Sequence, residues 1–256
     1  MEYRHIEFSE EEGAVAVLTM VRPEQRNALS EAHLRELLHA IREIGAGEMR
    51  GVIVAARGPV FSAGHDFRDM DGRDLEGMRR LLGVCTEVMQ GLRALPQVVI
   101  AQVEGLATAA GCQLVASCDL AVAGNSARFQ VPGGAGGWFC TTPGVALARA
   151  VSHKHALEML LTGDPIDAAT AQVWGLVNRV VLDSEVAVVT RELLARATRG
   201  SADSKALGKQ AFYRQIELDT AGAYAHASEV MAAASQTPHA QEGLRAFLEK
   251  RKPRFV

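Results

Sequence analysis

Short apolar runs alternate with stretches of helical periodicity over the first two-thirds of the chain. The runs Ala14–Val21, Gly51–Ala56 and Val98–Val103 have the length and the Val/Ile/Ala content of buried strands. Between them, Ser30–Gly45 and Asp74–Ala94 repeat apolar residues every three or four positions, which predicts amphipathic helices. Strand-plus-helix units that recur about every 40 to 50 residues predict an α/β fold of stacked turns, although no sequence identity relates the units.

The last third of the sequence changes to helical patterns only. These stretches are Val151–Leu161, Ala168–Trp174, Val186–Thr198, Ser204–Glu217, Ala221–Ala234 and Ala240–Arg251. We therefore expect an α/β core with the ligand site over residues 1–195, and a helical region over residues 196–256. Alanine-rich helices with apolar stripes at the end of a chain predict burial against a neighbouring subunit.

Charge and cysteine usage exclude several classes of protein. The formal net charge of -3 gives no general attraction for nucleic acid. The four cysteines form no CxxC pair and the eight histidines form no metal cluster, so we expect reduced thiols and no metal site. The charged N-terminus lacks the apolar segment of a signal peptide, and runs such as Val98–Val103 fall short of the ~20 residues that span a membrane. These features predict a soluble cytoplasmic protein.

Two loops rich in small residues are candidates for a ligand site. Phe61–Phe67 follows a strand, and Val103–Gln113 runs from a strand into a helix. Small residues let a ligand approach the backbone, and a helix start offers unpaired N–H groups. Together the loops could direct two peptide N–H groups at one carbonyl oxygen, which is an oxyanion hole.

Motifs along the whole chain resemble the crotonase, or enoyl-CoA hydratase/isomerase, family. They are Arg22–Leu29, Phe61–Asp66, Gly105–Leu114, Cys118–Leu120, Leu161–Gly163 and Ala246–Pro253. The stretches Gly105–Ala123 and Thr142–Val151 look closest to the enoyl-CoA hydratase domain-containing branch, whose members also occur in mitochondria.

The resemblance implies a crotonase-type spiral of ββα units with a C-terminal helical region for oligomerisation. It implies a homotrimer or a dimer of trimers (a homohexamer), and an acyl-CoA lyase or isomerase of fatty acid metabolism. Coenzyme A would enter as part of the substrate, with no other cofactor. The oxyanion hole would be formed by the N–H groups of His65 and Ala110, where glycine is usual at the second position.

The same resemblance assigns residues to the coenzyme A moiety. Ala63, Asp66, Phe67 and Arg68 would line the adenine and pantetheine path, and Phe247 and Lys250 from an adjoining helical tail would close over the phosphates. Glu24 stands where a lysine is frequent, and Arg22 or Arg26 could compensate, since arginine suits phosphate recognition.

Two positions depart from the hydratase pattern. Gln113 and Gly133 stand where the family carries glutamates that act as acid and base. An amide does not titrate near neutrality, and lost acid/base catalysis costs ~10²–10⁴-fold per group. Ordinary hydration is therefore expected to be weak or absent, and isomerisation is disfavoured.

Three alternatives remain open on sequence. Decarboxylation through an enolate is one, because Phe61–Asp66 is also similar to methylmalonyl-CoA decarboxylase. Thioester hydrolysis and non-catalytic acyl-CoA binding are the others. His65, with its side chain expected toward solvent, and Cys140 are the less favoured substitutes for the missing acid and base.

Overall fold

A six-stranded sheet forms the centre of the molecule. The computed structural model describes residues 2–255. Its strands are β1 (Ile6–Glu11), β2 (Val15–Met20), β3 (Gly51–Ala56), β4 (Val98–Val103), β5 (Leu106–Thr108), β6 (Leu120–Gly124), β7 (Arg128–Gln130), β8 (Ile166–Asp167) and β9 (Arg179–Val181). The main sheet has the order β1-β2-β3-β4-β6-β9, and a smaller sheet has the order β5-β7-β8. All neighbours in the main sheet are parallel except the β1–β2 hairpin.

Helices follow the strands of the core and then form the C-terminal region. They are α1 (Glu31–Ala46), α2 (Phe67–Met70), α3 (Leu75–Ala94), α4 (Ala110–Ser117), α5 (Thr141–Ala150), α6 (His153–Thr162), α7 (Ala168–Trp174), α8 (Val186–Ala197), α9 (Ala202–Gln215), α10 (Thr220–Ala234) and α11 (Pro238–Leu248). Ser30 caps α1 by accepting a hydrogen bond from the N–H of His33, and Asp74 caps α3 by accepting one from Gly77. The predicted starts of both helices, and the α/β class, are confirmed.

Successive side chains of β3 belong to two apolar clusters, one on each face of the sheet, so both faces of the sheet are buried. Val52 and Val54 belong to the main apolar cluster, whereas Ile53 belongs to a second cluster on the opposite face. Val186 and Leu194 of α8 cover that second face. Helix α8 is therefore part of the core.

Several short elements were missed by the sequence analysis. The strands of the small sheet have two or three residues, which is too short for a periodic pattern. The predicted helix Val151–Leu161 was wrong at its start, because Val151 follows α5 and Ser152 caps α6. Helix α5 itself was missed because it carries Pro143, which a helix tolerates in its first turn.

The C-terminal helices α9–α11 leave many of their large apolar side chains exposed. Helix α9 is held by Asp119, which accepts hydrogen bonds from Lys209 Nζ at 2.8 Å and from the Tyr213 hydroxyl at 2.7 Å. Neither α9 nor α10 contains a buried residue. The exposed large apolar residues of this region are Leu207, Phe212, Ile216, Tyr224, Met231, Leu244, Phe247 and Leu248. Such a surface is typical of a protein–protein interface.

Across residues 2–255, helices with the length and apolarity required to cross a bilayer are absent.

Candidate functional site

Asn27 and Ser62 fix the first of the two small-residue loops. The Asn27 side chain accepts a hydrogen bond from the Arg22 N–H and donates to the carbonyls of Arg57 and Val60, at 2.8–2.9 Å. Ser62 donates its hydroxyl hydrogen to the Asn27 carbonyl at 2.8 Å. Both side chains are fully buried. Sequence analysis did not assign them a role, although Asn27 lies within the Arg22–Leu29 motif.

Glycines bring this loop into direct contact with the start of α4. A methyl group added at Gly64 would lie 2.9 Å from Ala109 Cβ and 3.1 Å from the Ala110 nitrogen. A methyl group added at Gly111 would lie 2.4 Å from the Ser62 carbonyl oxygen. The close approach therefore requires glycine at both positions.

The two N–H groups assigned to the oxyanion hole lie on these touching segments. Within residues 2–255, neither the His65 N–H nor the Ala110 N–H donates a backbone hydrogen bond, whereas Asp66 N–H donates to Leu29 O and Ala109 N–H to Gln130 O. Ala110 is the first residue of α4, so its N–H also stands at the positive end of the helix dipole. Unpaired N–H groups are rare in protein interiors. These two donors therefore form a candidate site for a hydrogen-bond acceptor on a ligand.

Backbone strain accompanies the second donor. Ala109 precedes α4 with φ 50° and ψ -118°, in a region that favours glycine. This conformation sets the plane of the Ala109–Ala110 peptide and hence the direction of the Ala110 N–H. Strain of this kind typically costs about 1–3 kcal/mol and is concentrated at functional sites.

The His65 side chain is directed inward, and the expectation that it faces solvent was wrong. Its Nε2 atom is buried without a hydrogen-bond partner in the described chain. Burial lowers the pKa of His65 to about 4, with Asp69 opposing the shift. The imidazole is therefore neutral near pH 7. Sequence alone gave the position of the residue but not the packing that surrounds its ring.

Gln113 occupies the first glutamate position as a buried amide. It is 5% exposed, and its Oε1 atom has no hydrogen-bond partner among residues 2–255. It lines a cavity of about 290 Å³ between α3, α4 and α5. An uncharged acceptor therefore faces the region where the family places a carboxylate.

Gly133 occupies the second glutamate position and leaves no room for a side chain. An added Cβ would lie 2.2 Å from the Trp138 carbonyl oxygen and 2.6 Å from Cys140 Sγ. The Gly133 N–H donates to Cys140 Sγ at 3.3 Å. The segment from Gly133 to Cys140 thus folds back over this position. Burial raises the pKa of the Cys140 thiol, which works against its use as a nucleophile.

Residues assigned to coenzyme A fall into two separate groups. Ala63, Asp66, Phe67 and Arg68 lie together on the first loop and α2, where Asp66 accepts a hydrogen bond from the Arg68 N–H. Phe67 is 76% exposed. The face they form is open to a ligand.

Arg22 and Arg26, the two arginines assigned to this part of the site, differ in exposure to solvent. The Arg22 guanidinium lies 3.7 Å from the Asp66 carboxylate and is largely covered. Arg26 is exposed, in a left-handed conformation with φ 52°. Arg26 is thus the more accessible of the two to a phosphate group.

Phe247 and Lys250 form the other group, at the end of α11. The region around α11 is attached near the start of α9, where Ser201 is hydrogen-bonded to His239 at 2.8 Å. Phe247 is 82% exposed. Among the described residues, no hydrogen bond or ion pair links this pair with the first loop.

Sites of other kinds are not evident in residues 2–255. No group of three or more His, Cys, Asp or Glu side chains has the arrangement of a metal site. His155 stacks on Trp174 with ring centroids 4.2 Å apart, so its ring serves packing. Asp119 anchors α9, as described above, and so has a structural role.

Comparison with known proteins gives consistent matches. Residues 10–256 match the model of the enoyl-CoA hydratase/isomerase family. The chain is 44% identical over 240 residues to "Enoyl-CoA hydratase domain-containing protein 3, mitochondrial" of Homo sapiens, covering 92% of this chain and 78% of the relative. The structure resembles a crystal structure of enoyl-CoA hydratase from Mycobacterium smegmatis with TM-score 0.95 and 45% identity, covering 98% and 99% of the two chains. It resembles the crystal structure of the human domain-containing protein 3 with TM-score 0.94 and 40% identity, covering 98% and 100%.

These relatives correct the expected cellular location. The similar proteins of Homo sapiens, Mus musculus and Xenopus laevis are all named mitochondrial, which contradicts the cytoplasmic prediction. That prediction rested on the missing apolar segment at the N-terminus. Such a segment directs secretion, and its absence does not distinguish the cytoplasm from other compartments.

Proposed function

The chain belongs to the enoyl-CoA hydratase/isomerase family, and on that premise we propose that it binds an acyl-CoA thioester in a backbone oxyanion hole. The observation that carries this proposal is the pair of unpaired N–H groups, from His65 and Ala110, on two loops in van der Waals contact. Donors that are fixed before the ligand arrives stabilise a developing oxyanion without reorganisation. The thioester oxygen is the acceptor proposed for them.

Ordinary hydratase activity is proposed to be weak or absent. Hydration needs a water activated toward the β-carbon and a proton delivered to the α-carbon. The neutral Gln113 amide can hold a water but cannot move its proton, and Gly133 offers no side chain. The neutral His65 imidazole is buried nearby, but its pKa of about 4 makes it a weak base.

A reaction that proceeds through an enolate is the second candidate for the same site. Decarboxylation of an acyl-CoA requires mainly that the thioester oxygen be stabilised as charge develops. The site retains the N–H groups for that step while lacking the paired carboxylates. Thioester hydrolysis would need an activated water, for which the described residues offer no carboxylate at positions 113 and 133. A non-catalytic acyl-CoA-binding protein is the remaining alternative.

Closure over coenzyme A is proposed to require more than one chain. Among the described residues no hydrogen bond or ion pair joins Phe247 or Lys250 to the first loop, and α9–α11 expose apolar side chains. A homotrimer or a dimer of trimers would cover that apolar surface and could place the two residues over the phosphates of a neighbouring site. Arg26 and Arg68, both exposed, would supply the remaining positive charge.

The first test measures the loss of enoyl-thioester absorbance with one short and one long trans-2-enoyl-CoA. We expect binding, detected as a rise in Tm with each thioester, but turnover far below that of the Clostridium acetobutylicum short-chain-enoyl-CoA hydratase assayed in parallel. Comparable turnover would overturn the argument from Gln113 and Gly133. Failure of coenzyme A and of both thioesters to shift the Tm would overturn acyl-CoA binding itself.

A further inference from the structure

The cavity beside Gln113 is lined by residues that follow the proposed Ala110 donor on α4. Gln113 and Ser117, one and two turns beyond Ala110 on α4, line it. At 1.5 Å rise per residue they lie roughly 4.5 and 10 Å along the helix from the Ala110 N–H. Thr142, in the first turn of α5, continues the lining. The cavity, about 290 Å³, thus includes one of the two replaced glutamate positions, Gln113.

The lining of this cavity is unsuited to an alkyl chain. Its apolar members among the described residues are Met89, Val145 and Ala146, and the others carry hydroxyl, amide or charged groups. The Gln113 Oε1 atom is buried there without a partner. An alkyl chain would remove these groups from water and return no hydrogen bonds, which is costly.

Positive charge exceeds negative charge at the far end. Arg149 pairs with Glu217 through hydrogen bonds of 2.8 and 3.3 Å, so these two charges cancel. The Arg93 guanidinium lies 4.3 Å from the centre of the Tyr213 ring, and within residues 2–255 it has no carboxylate within ion-pair distance. Two guanidinium groups and one carboxylate, those of Arg93, Arg149 and Glu217, therefore line this end of the cavity and leave an excess of positive charge.

We infer that the acyl group of the ligand ends in a carboxylate, and that Arg93 binds it. This inference rests on the proposed function and adds to it the substrate class, a short dicarboxylic acyl-CoA. An acyl chain of about five carbons reaches from the thioester to the second turn of α4, given the spacing above. The stacking of Arg93 on Tyr213, whose hydroxyl is held by Asp119, keeps the guanidinium in place before binding.

The test compares two ligands with the same number of acyl carbons. Glutaryl-CoA and pentanoyl-CoA are titrated by calorimetry into the wild-type protein, with coenzyme A alone as the reference. We expect glutaryl-CoA to bind about tenfold more tightly or better, since a charge-assisted hydrogen bond replaces a methyl group against polar walls. This comparison needs no variant and so is independent of any effect of mutation on folding.

Two variants assign the preference to one side chain. Arg93→Met keeps an unbranched side chain of similar flexibility but removes the guanidinium and its charge. We expect it to abolish the preference for glutaryl-CoA while leaving the affinity for coenzyme A unchanged. Arg79→Met removes the same charge from an exposed position about 20 Å earlier on α3, and we expect the preference to persist.

The outcomes separate the two proposals. If pentanoyl-CoA binds as tightly as glutaryl-CoA, the inference about the carboxylate is wrong while acyl-CoA binding stands. If Arg93→Met still binds glutaryl-CoA more tightly than pentanoyl-CoA, Arg93 is not the residue that binds the carboxylate. If neither thioester nor coenzyme A binds, the proposed function fails and this inference fails with it.

Discussion

The proposed carbonyl-binding half of the site and the two positions of the family's acid/base pair differ in the groups that this chain carries. The first half consists of the His65 and Ala110 N–H groups, and its geometry is enforced by buried hydrogen bonds and by glycines in contact. The second half consists of positions 113 and 133, where one holds an amide and the other is filled by the neighbouring segment. The proposed oxyanion hole thus keeps both peptide donors, whereas positions 113 and 133 carry no group that titrates near neutrality.

The two halves respond differently to substitution because one uses backbone groups and the other uses side chains. Peptide N–H donors are present whatever the side chain, so Ala110 keeps the donor where relatives usually carry glycine. A general acid or base exists only in particular side chains, so two substitutions suffice to remove both. A site built on the backbone therefore tolerates sequence change as long as its close packing is kept.

Gly111→Ala tests that close packing and should have the largest effect. The new methyl group would meet the Ser62 carbonyl oxygen at 2.4 Å, where both partners are backbone or fully buried. We expect a loss of about 3 kcal/mol in the free energy of unfolding, and loss of thioester binding as the two loops separate. Urea unfolding and a thermal-shift titration with an acyl-CoA measure the two effects.

Gly83→Ala is the matched control for Gly111→Ala. Gly83 lies within α3, and no atom lies within 4 Å of an added methyl group. Alanine is favoured over glycine in a helix by about 0.8–1.0 kcal/mol, so this variant should be unchanged or more stable. Equal stability losses in the two variants would show that the contact between the loops is not what maintains the site.

Gln113→Glu combined with Gly133→Glu tests whether the acid/base half can be restored. The Cβ at position 133 would lie 2.2 Å from the Trp138 carbonyl oxygen, so the covering segment must move. We expect a loss of about 2 kcal/mol in the free energy of unfolding and no gain in hydration of a trans-2-enoyl-CoA. Gln113→Glu alone is the control, because that position already holds a side chain of nearly the same shape.

Hydratase activity in the double variant would contradict the interpretation that the covering segment leaves no room for a glutamate at position 133. It would mean that the segment from Gly133 to Cys140 opens readily and that only the carboxylates are missing.

Much of the core could be predicted from the sequence because its elements are long and periodic. The strands Gly51–Ala56 and Val98–Val103 and the helix over Asp74–Ala94 were found with bounds correct to within one residue. The strands of the small sheet were not predicted, because they pair residues far apart in sequence, such as Leu106 with Arg128. Short strands carry no periodic signal of their own.

For the proposed site, the sequence predicts which residues take part but not the environment of their side chains. Resemblance to the family placed the oxyanion donors at His65 and Ala110 and noted the substitutions at Gln113 and Gly133. It could not show that the His65 ring is buried or that Cys140 contacts Gly133, because both depend on contacts between separate segments. The unpaired charge of Arg93 was missed for the same reason, since its cavity forms between three helices.

His65→Gln separates the side chain of this residue from its backbone role. The pKa of His65 is about 4 in the folded chain and ~6.5 when unfolded, so the unfolded state alone takes up a proton between these values. This contribution to stability is complete above pH ~6.5 and is lost as the pH falls toward 4. Relative to pH 7.5, the loss at pH 5.5 should be about 1.4 kcal/mol smaller in His65→Gln than in the wild type.

Urea unfolding at the two pH values measures the difference, and thioester binding at pH 7.5 should be unchanged because the N–H remains. His33, whose pKa burial also lowers to about 4, continues to contribute in both proteins. An equal loss of stability in variant and wild type would place the His65 ring in solvent. Loss of thioester binding at pH 7.5 would give the ring a direct part in the site.

Ala109→Gly should have the smallest effect, and one of opposite sign. Glycine adopts φ 50° and ψ -118° without the strain of about 1–3 kcal/mol that alanine carries, while its greater freedom in the unfolded chain costs 0.5–1 kcal/mol. The variant should therefore be about 1 kcal/mol more stable in urea unfolding, with unchanged thioester affinity. A destabilised variant would instead show that packing of the Ala109 methyl group on the main apolar cluster outweighs the strain. In that case side-chain packing, as well as backbone conformation, would orient the Ala110 N–H.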